Sequence, residues 1–391
     1  MFFVSVNYPN RIIGGVVVLK SYNICKRCVM DTTDPDIFFD ESGICNHCKE
    51  AEERLRKPPL GLSAGQKAEA LQSIIRKIKE RNRNKKYDCV IGLSGGVDST
   101  FVAYKVIGLG LKPLAVHLDN GWNSEIAEDN IKNILEKLEI DLVTQIADWE
   151  EFKNLEIAFL KASTPDLEIT SDHAIVSLLY YYAAKENLKY IINGVNTNSE
   201  SILPSAWSRG HNDWRYIRLI NKKFSGYTLK TIPHRSFLNS KYDKYIKKIE
   251  WLSILDYLDY NKFEAKKIIQ KELNWKDYGG KHYESIITKF WQGYILPTKF
   301  GFDKRRAHLS SLIVAGQISR EQALEELKLP AYPPEDIEKD IKFFCEKLGI
   351  SLEEFEIIMK TPAKTFWDYP SYEKSWYYKV LKAMRNTKKA F

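Results

Sequence analysis

The sequence predicts a doubly wound α/β fold, preceded by a four-cysteine module and followed by a mainly helical region. Three observations carry that expectation. Short apolar runs alternate with helical stretches between residues 87 and 192, a pattern that builds parallel βαβ units. A glycine-rich turn, Ser94-Gly95-Gly96-Val97-Asp98-Ser99, joins the first run to the first helix. Two CxxC pairs, Cys25/Cys28 and Cys45/Cys48, stand sixteen residues apart near the start.

The chain divides into five parts. Residues 1–24 read as a leader. Its apolar stretch, Ile12 to Leu19, falls well short of the roughly 18 residues a membrane helix needs. The opening Met1-Phe2-Phe3-Val4 lacks the basic start of a signal peptide. The leader is either a β-hairpin or the product of a misplaced start codon. A cytoplasmic location, with reduced thiols and no membrane insertion, is the expectation. Residues 25–48 form the cysteine module. Residues 49–86 form a helical linker broken by Lys57-Pro58-Pro59-Leu60-Gly61, with Leu71, Ile74, Ile75 and Ile78 at helical spacing. Its basic run, Arg76 to Lys86, is either a solvated helix end or an anion-binding patch.

Residues 87–230 make the α/β unit. Strands are predicted at Tyr87–Leu93, Pro113–Leu118, Asp141–Ile146 and Tyr190–Ile192. Helices are predicted at Ser99–Ile107, Glu125–Leu138 and Ile169–Lys185. Residues 231–391 are mainly helical and rich in aromatics, which are expected to be core or groove wall and to contact substrate or partner.

Two CxxC turns at this spacing bring four thiolates to one tetrahedral zinc, Zn2+. Cys25, Cys28, Cys45 and Cys48 are the expected ligands. A closed four-sulfur shell leaves no open position, so the metal would be structural. Such a metal folds a segment too small to hold a core of its own. His47 would then be no ligand. Taken alone, the module also fits a zinc-ribbon nucleic-acid binder. The glycine-rich turn is a different device. Its glycines let backbone approach an anion, and the next helix offers unpaired N–H groups and a positive dipole end. It matches neither the Walker nor the Rossmann glycine pattern.

SGGVDS after an apolar strand resembles the pyrophosphate loop of the N-type ATP pyrophosphatases, the PP-loop superfamily. The resemblance implies cleavage of ATP between the α and β phosphates, with Mg2+ offsetting the phosphate charge. It implies that Ser94, Gly95, Gly96, Val97 and Ser99 hold pyrophosphate and that Asp98 orients the loop or the magnesium. From Ile24 onward the chain resembles the N-acetyl sugar amidotransferases of bacterial surface-polysaccharide synthesis. Cys25-Lys26-Arg27-Cys28-Val29-Met30-Asp31, Gly43 to Cys48, Asn193 to Ser201 with Trp207, and Gly279 to Ser285 carry it. It continues through Gln292, Pro297, Phe300 to Arg306 and His308. The leader lies outside the resemblance.

That family resemblance implies an acetamido-to-acetamidino conversion on a nucleotide sugar or nonulosonic acid, in lipopolysaccharide, capsule or flagellar glycan synthesis. The amide oxygen would be adenylated and ammonia would displace AMP. Position 2 is Phe2, and Cys89 and Cys345 lie in no nucleophile elbow, so the chain is expected to lack a glutaminase of its own. A separate glutaminase with a barrel-type ammonia-channelling partner is implied.

Asp119, Asn193 and Gly194 stand at predicted strand ends, where open α/β sheets bind ligands. With Glu200 they are the expected nucleotide contacts, although Asp119 equally suits a turn. Lys304 or Arg305 would offset charge on the phosphate. Lys281, His282, Arg306 and His308 are candidate substrate contacts. The net charge is +8 from 59 basic and 51 acidic residues, too mild for a dedicated nucleic-acid binder. A tRNA-modifying thiolase or lysidine-type ligase with the same loop is the rival enzyme reading.

Overall fold

The computed structural model describes residues 11–13, 16–18, 21–280, 283–376 and 378. The leader contributes an antiparallel pair, β1 (Arg11–Ile13) and β2 (Val16–Val18). The cysteine module runs into α1 (Asn46–Arg56), and α2 spans Ala64–Arg81. Ser63 and Gln66 close a capping box at the start of α2, satisfying two otherwise orphan N–H groups. Leu71, Ile75 and Ile78 are its buried stripe.

The α/β unit follows as β3 (Cys89–Gly92), α3 (Val97–Gly108), β4 (Pro113–Asp119), α4 (Glu125–Leu138) and β5 (Asp141–Ile146). It continues as α5 (Trp149–Ala162), α6 (Ile169–Lys185), β6 (Tyr190–Asn193), α7 (Thr197–Glu200), α8 (Trp214–Phe224), α9 (Phe237–Tyr245) and β7 (Glu250–Ser253). Beyond these lie α10 (Lys262–Leu273), α11 (Ile286–Phe290), a π-helical stretch at Trp291–Phe300, α12 (Arg305–Val314), α13 (Arg320–Lys328), α14 (Ile337–Leu348) and α15 (Leu352–Lys360).

Five strands make one parallel sheet in the order β5-β4-β3-β6-β7. The chain builds outward from β3 through β4 to β5, then returns to the other side of β3 for β6 and β7. The order reverses between β3 and β6, and open α/β sheets bind ligands at that point. Sheet faces alternate along β3. Cys89 and Ile91 pack against α2, α3 and α10, while Val90 packs against α6. That period of two buries both faces, as a central parallel strand requires.

The sheet does not end at residue 230, where the sequence reading closes the α/β unit. Its fifth strand, β7, comes from residues 250–253, and Trp251 pairs in register with Ile191. With only two apolar residues in Glu250-Trp251-Leu252-Ser253 and a half-solvated edge position, β7 leaves no strand-length apolar run. A separate core joins the cysteine module to α5, α8, α11, α12, α14 and α15 through Phe152, Phe159, Tyr216, Phe290, Trp291, Phe344 and Phe355. Among the described residues, no helix is long and apolar enough to cross a membrane.

Candidate active site

The turn after β3 is shaped by what surrounds it. Gly95 has φ +77°, and a Cβ there would lie 2.6 Å from the Ala127 carbonyl oxygen of α4. Both conditions demand glycine. The Ser94 and Ser99 hydroxyls lie 3.1 Å apart, and Ser99 Oγ also donates to Gly96 O at 3.2 Å. The serines expected to hold pyrophosphate therefore brace the loop from inside. The backbone amides at the start of α3 are the part of the turn suited to an anion.

Three aromatic side chains from after residue 250 meet this loop. Trp275 Nε1 donates to Gly95 O at 2.8 Å, Val97 N donates to the Tyr278 hydroxyl at 3.2 Å, and the Tyr260 hydroxyl donates to Asp98 Oδ1. Burial raises the Tyr260 phenol pKa, and the charges of Asp98 and Glu200 add to the rise. Burial does the same to Tyr278, reinforced by Glu284 and Asp98. Asp98 and Glu200, far apart in sequence, thus flank one tyrosine beside the loop. Glu284 is held there by its backbone, since Ser124 N donates to Glu284 O at 2.9 Å. A Cβ on Gly96 would lie 2.9 Å from Glu284 Oε1. The chemistry of the donor set, carboxylates beside a phosphate-sized N–H cradle, suits Mg2+ bound together with a polyphosphate.

The other strand ends behave differently. Gly194 after β6 is needed for packing, because a Cβ there would lie 3.1 Å from the Asp98 carbonyl carbon. Asn193 Oδ1 accepts from Val195 N at 2.9 Å, while its buried Nδ2 has no hydrogen-bond partner among the described residues. Asp119 Oδ1 accepts from Gly121 N at 2.9 Å, which is the turn role the sequence left open. His117 escaped the sequence reading. Its Nδ1 meets Leu93 O at 2.8 Å and its Nε2 meets the Asn123 amide at 3.0 Å. Burial lowers its pKa and favours the neutral ring.

A cavity of about 450 Å³ extends from the loop into the C-terminal region, lined by Val97, Tyr278, Gln292, Lys304, Arg305 and His308 among others. Lys304 Nζ pairs with Glu168 Oε2 at 2.6 Å, and Gln292 Nε2 reaches both Glu168 oxygens at 3.0 and 2.9 Å. Burial opposes the Lys304 charge, but Glu168 and Asp166 outweigh it and raise its pKa. Glu168 was invisible from sequence because it lies between α5 and α6, outside every motif.

Arg305 lines the same cavity, yet its donors go elsewhere. It makes a bidentate pair with Asp303, Nε to Oδ1 at 3.1 Å and Nη2 to Oδ2 at 2.7 Å, and donates to the Leu329 carbonyl at 2.9 Å. Both cations line the cavity, Lys304 beside Glu168 and Gln292, and Arg305 with its donors on Asp303 and Leu329. The expectation for Arg306 is corrected. Its guanidinium pairs with Asp31 at 2.9 Å and donates to Val29 O at 2.9 Å, tying α12 to the cysteine module. The reason is helical geometry, which turns adjacent residues about 100° apart. Lys281 and His282 lie outside the described residues.

The four module cysteines are buried, and their sulfurs lie within 4.8 Å of one another. Cys25 and Cys48 sulfurs are 3.9 Å apart and those of Cys28 and Cys45 3.7 Å. A tetrahedron with Zn–S bonds of about 2.3 Å has edges of about 3.8 Å, so the donor set fits zinc. His47 points away, bonding Asp34 at 2.6 Å. Arg320 donates to the Cys25 and Cys28 carbonyls at 3.0 Å, and Val29 N donates to Ser310 at 3.2 Å. The module is therefore a brace for α12 and α13, and Lys304 sits immediately before α12.

A parallel sheet reversing its order at a strand–SGGVDS–helix turn is the doubly wound arrangement that the resemblance of the loop leads one to expect. Residues 284–385 match the family described as LPS biosynthesis protein WbpG-like, C-terminal domain. Gln292, Lys304 and His308 lie within the matched residues. Over 325 residues the chain is 23% identical to the uncharacterized protein MJ1599 of Methanocaldococcus jannaschii, covering 81% of this chain and 96% of that protein. An NH3-dependent NAD synthetase from Campylobacter jejuni is 17% identical with a TM-score of 0.30, covering 69% of this chain and 98% of that one. The NMN synthetase of Francisella tularensis gives 17% and 0.28, covering 59% and 93%. These two structural likenesses are too slight to carry an argument.

Proposed function

We propose that the protein is an ATP-dependent, AMP-forming carbon–nitrogen ligase that converts a sugar acetamido group to acetamidino. One observation carries the reading. The phosphate cradle at Val97 and the LPS-type residues Gln292, Lys304 and His308 line the same cavity. An ATP held at α3 and a sugar held by the C-terminal domain would meet there.

In this reading the α3 amides, Gly95 and Gly96 hold the β and γ phosphates, Asp98 and Glu200 would hold a Mg2+ that offsets the phosphate charge, and Asn193 and Gly194 close the nucleotide side. The acetamide oxygen attacks the α-phosphorus and pyrophosphate leaves, giving an O-adenylated imidate. Lys304 faces the negative charge that builds on the phosphate, and a fixed cation in a partly dry site stabilises such charge strongly. Ammonia then adds to the imidate carbon and AMP leaves with the former amide oxygen. Adenylation is what makes that oxygen a leaving group. Cys25, Cys28, Cys45 and Cys48 would hold a structural zinc, and the module's contacts through Arg306, Ser310 and Arg320 keep α12, and with it Lys304, in register.

All six cysteines are buried. This supports an ammonia source on a separate glutaminase and weighs against a thiol relay of the tRNA-thiolating kind. The test is incubation with ATP, magnesium, ammonium and a panel of N-acetylated nucleotide sugars and nonulosonic acids. AMP, pyrophosphate and a product with oxygen exchanged for NH are expected. ATP turnover with tRNA but with no member of the sugar panel would overturn the reading.

A further inference from the structure

Helix α9 turns its apolar stripe outward. Leu238, Tyr242 and Tyr245 follow one another at i, i+4 and i+7, which puts them on one face, and Ile246 continues the line. All four are exposed, by 53 to 75%. The inward face is the polar one, since Asp243 is buried and pairs with Arg235 at 2.7 Å. A surface helix ordinarily turns its apolar stripe to the core. Four large side chains left outside on so short a helix therefore mark a docking face.

The charges around the stripe select the partner. Lys241, Lys244, Lys247 and Lys248 lie on α9 and its exit, and the only carboxylate among residues 237–249 is the inward Asp243. Lys247 reaches that carboxylate at 3.3 Å. Lys241 and Lys244 pair with no carboxylate among the described residues. Their ammonium groups lie over aromatic rings instead, Lys241 over Phe237 at 4.9 Å and Lys244 over Tyr245 at 5.8 Å.

Both lysines also line a cavity of about 580 Å³ between α6 and α9, and the other charged groups there are already engaged. His211 lies 3.1 Å from Asp166 and 3.4 Å from Asp172. Burial opposes the His211 charge, but Asp166 and then Asp172 raise its pKa. Asp213 accepts from Tyr372 N at 2.7 Å, and Glu373 pairs with Arg209. Lys241 and Lys244 are thus the charges of this face that are open to an anionic partner.

The C-terminal segment reaches the same place. The Phe237 ring meets those of Tyr372 and Tyr378 at 5.9 and 6.1 Å. Trp376, in that segment, is 77% exposed. Residues 379–391 follow in sequence with five basic residues and no acidic one. Size decides what kind of anionic partner fits. A specific protein interface draws on about 20–30 residues a side, far more than one stripe on a nine-residue helix. A bilayer surface asks for less. A few apolar and aromatic side chains settle at the level of the headgroups, and lysines beside them keep their charges among the lipid phosphates. The position suits such a contact. The chain leaves α9 for the amino end of β7, whereas SGGVDS leaves β3 at its carboxyl end, and the two strands lie parallel in one sheet. The end of α9 therefore faces away from the catalytic edge.

We propose that α9 seats the protein on the surface of an anionic lipid bilayer, with Leu238, Tyr242, Tyr245 and Ile246 among the headgroups and Lys241 and Lys244 on the lipid phosphates. The attachment is peripheral and reversible, and it does not depend on which reaction the cavity carries out.

The test is co-sedimentation of the full chain with vesicles of phosphatidylethanolamine and phosphatidylglycerol, against vesicles of phosphatidylcholine alone. Binding to the anionic vesicles at low salt is expected, with little to the neutral ones and a steep loss at high salt. The double variant Leu238→Glu/Ile246→Glu should lower the partition coefficient about tenfold or more. Lys241→Gln and Lys244→Gln should each lower it about fivefold. These side chains are exposed, so the urea midpoint should stay near wild type in every variant. Absence of binding to the anionic vesicles would overturn the proposal. So would wild-type binding by the double variant, which would place the contact elsewhere on the chain. A solution dimer that Leu238→Glu/Ile246→Glu converts to monomer would assign the face to a second copy. Binding of polyglutamate without binding of vesicles would assign it to an acidic protein. Either result would also overturn the lipid reading.

Discussion

Replacing Lys304 with methionine separates the structural from the chemical use of this cation. The ammonium group sits 2.6 Å from Glu168 Oε2, with side chains 11% and 18% exposed. Removing one partner of so enclosed a pair strands the other, at a cost of about 3–5 kcal/mol. Lys304→Met should therefore lower the urea midpoint markedly. Adding Glu168→Gln removes the stranded charge and should recover most of that stability. Activity should behave otherwise. If Lys304 faces the phosphate, AMP formation should fall about 10²–10³-fold in the single variant and stay low in the double. The assay pairs urea unfolding with AMP release on the same preparations. Recovery of activity together with stability in the double variant would refute the catalytic role. A single variant of wild-type stability would refute the buried pair.

Tyr278→Phe frees the Val97 amide, which now donates to the tyrosine hydroxyl at 3.2 Å. ATP should bind about 2–10-fold more tightly, one net hydrogen bond of about 0.5–1.5 kcal/mol, measured by calorimetric titration. Weaker binding would show that the hydroxyl assists the nucleotide. Metal analysis should find one zinc per chain. Its removal by a strong chelator should loosen α12, where Arg306 and Arg320 grip the module, and abolish activity along with stability. His211 has a pKa of about 9 in the fold against an ordinary 6.5. Its stabilisation is thus fully present below pH 6.5 and is lost as pH rises through about 9, a difference of up to about 3 kcal/mol. In His211→Gln the urea midpoint should lose that slope between pH 6.5 and 9.

What was legible in the sequence was local. The β3–SGGVDS–α3 unit is contiguous, and its glycines are demanded by the turn itself, so residues 89–108 were readable as strand, loop and helix. The cysteine spacing likewise places four thiols in two tight turns. Helix α4 was placed because its apolar periodicity is strong, and α6 because its largely apolar stretch is of helix length. The strand β7 and the ion network escaped for one shared reason, since each depends on partners far away in sequence. β7 is a strand because β6 offers it an edge, and Glu168 matters because α12 delivers Lys304 to it across 136 positions.

The sequence by itself therefore determined the chemistry available: a glycine-rich turn suited to phosphate, a four-thiol cluster, and a basic stretch from Lys304 to Arg306. Only the tertiary structure decided how that chemistry is distributed. It set Lys304 against Glu168 in the cavity, spent Arg305 on Asp303, and turned Arg306 to the cysteine module. The physical reason is that neighbouring residues on a helix point in different directions. Which of three adjacent cations face the cavity and which faces the module depends on how α12 is rotated, and the module packed against it helps set that rotation.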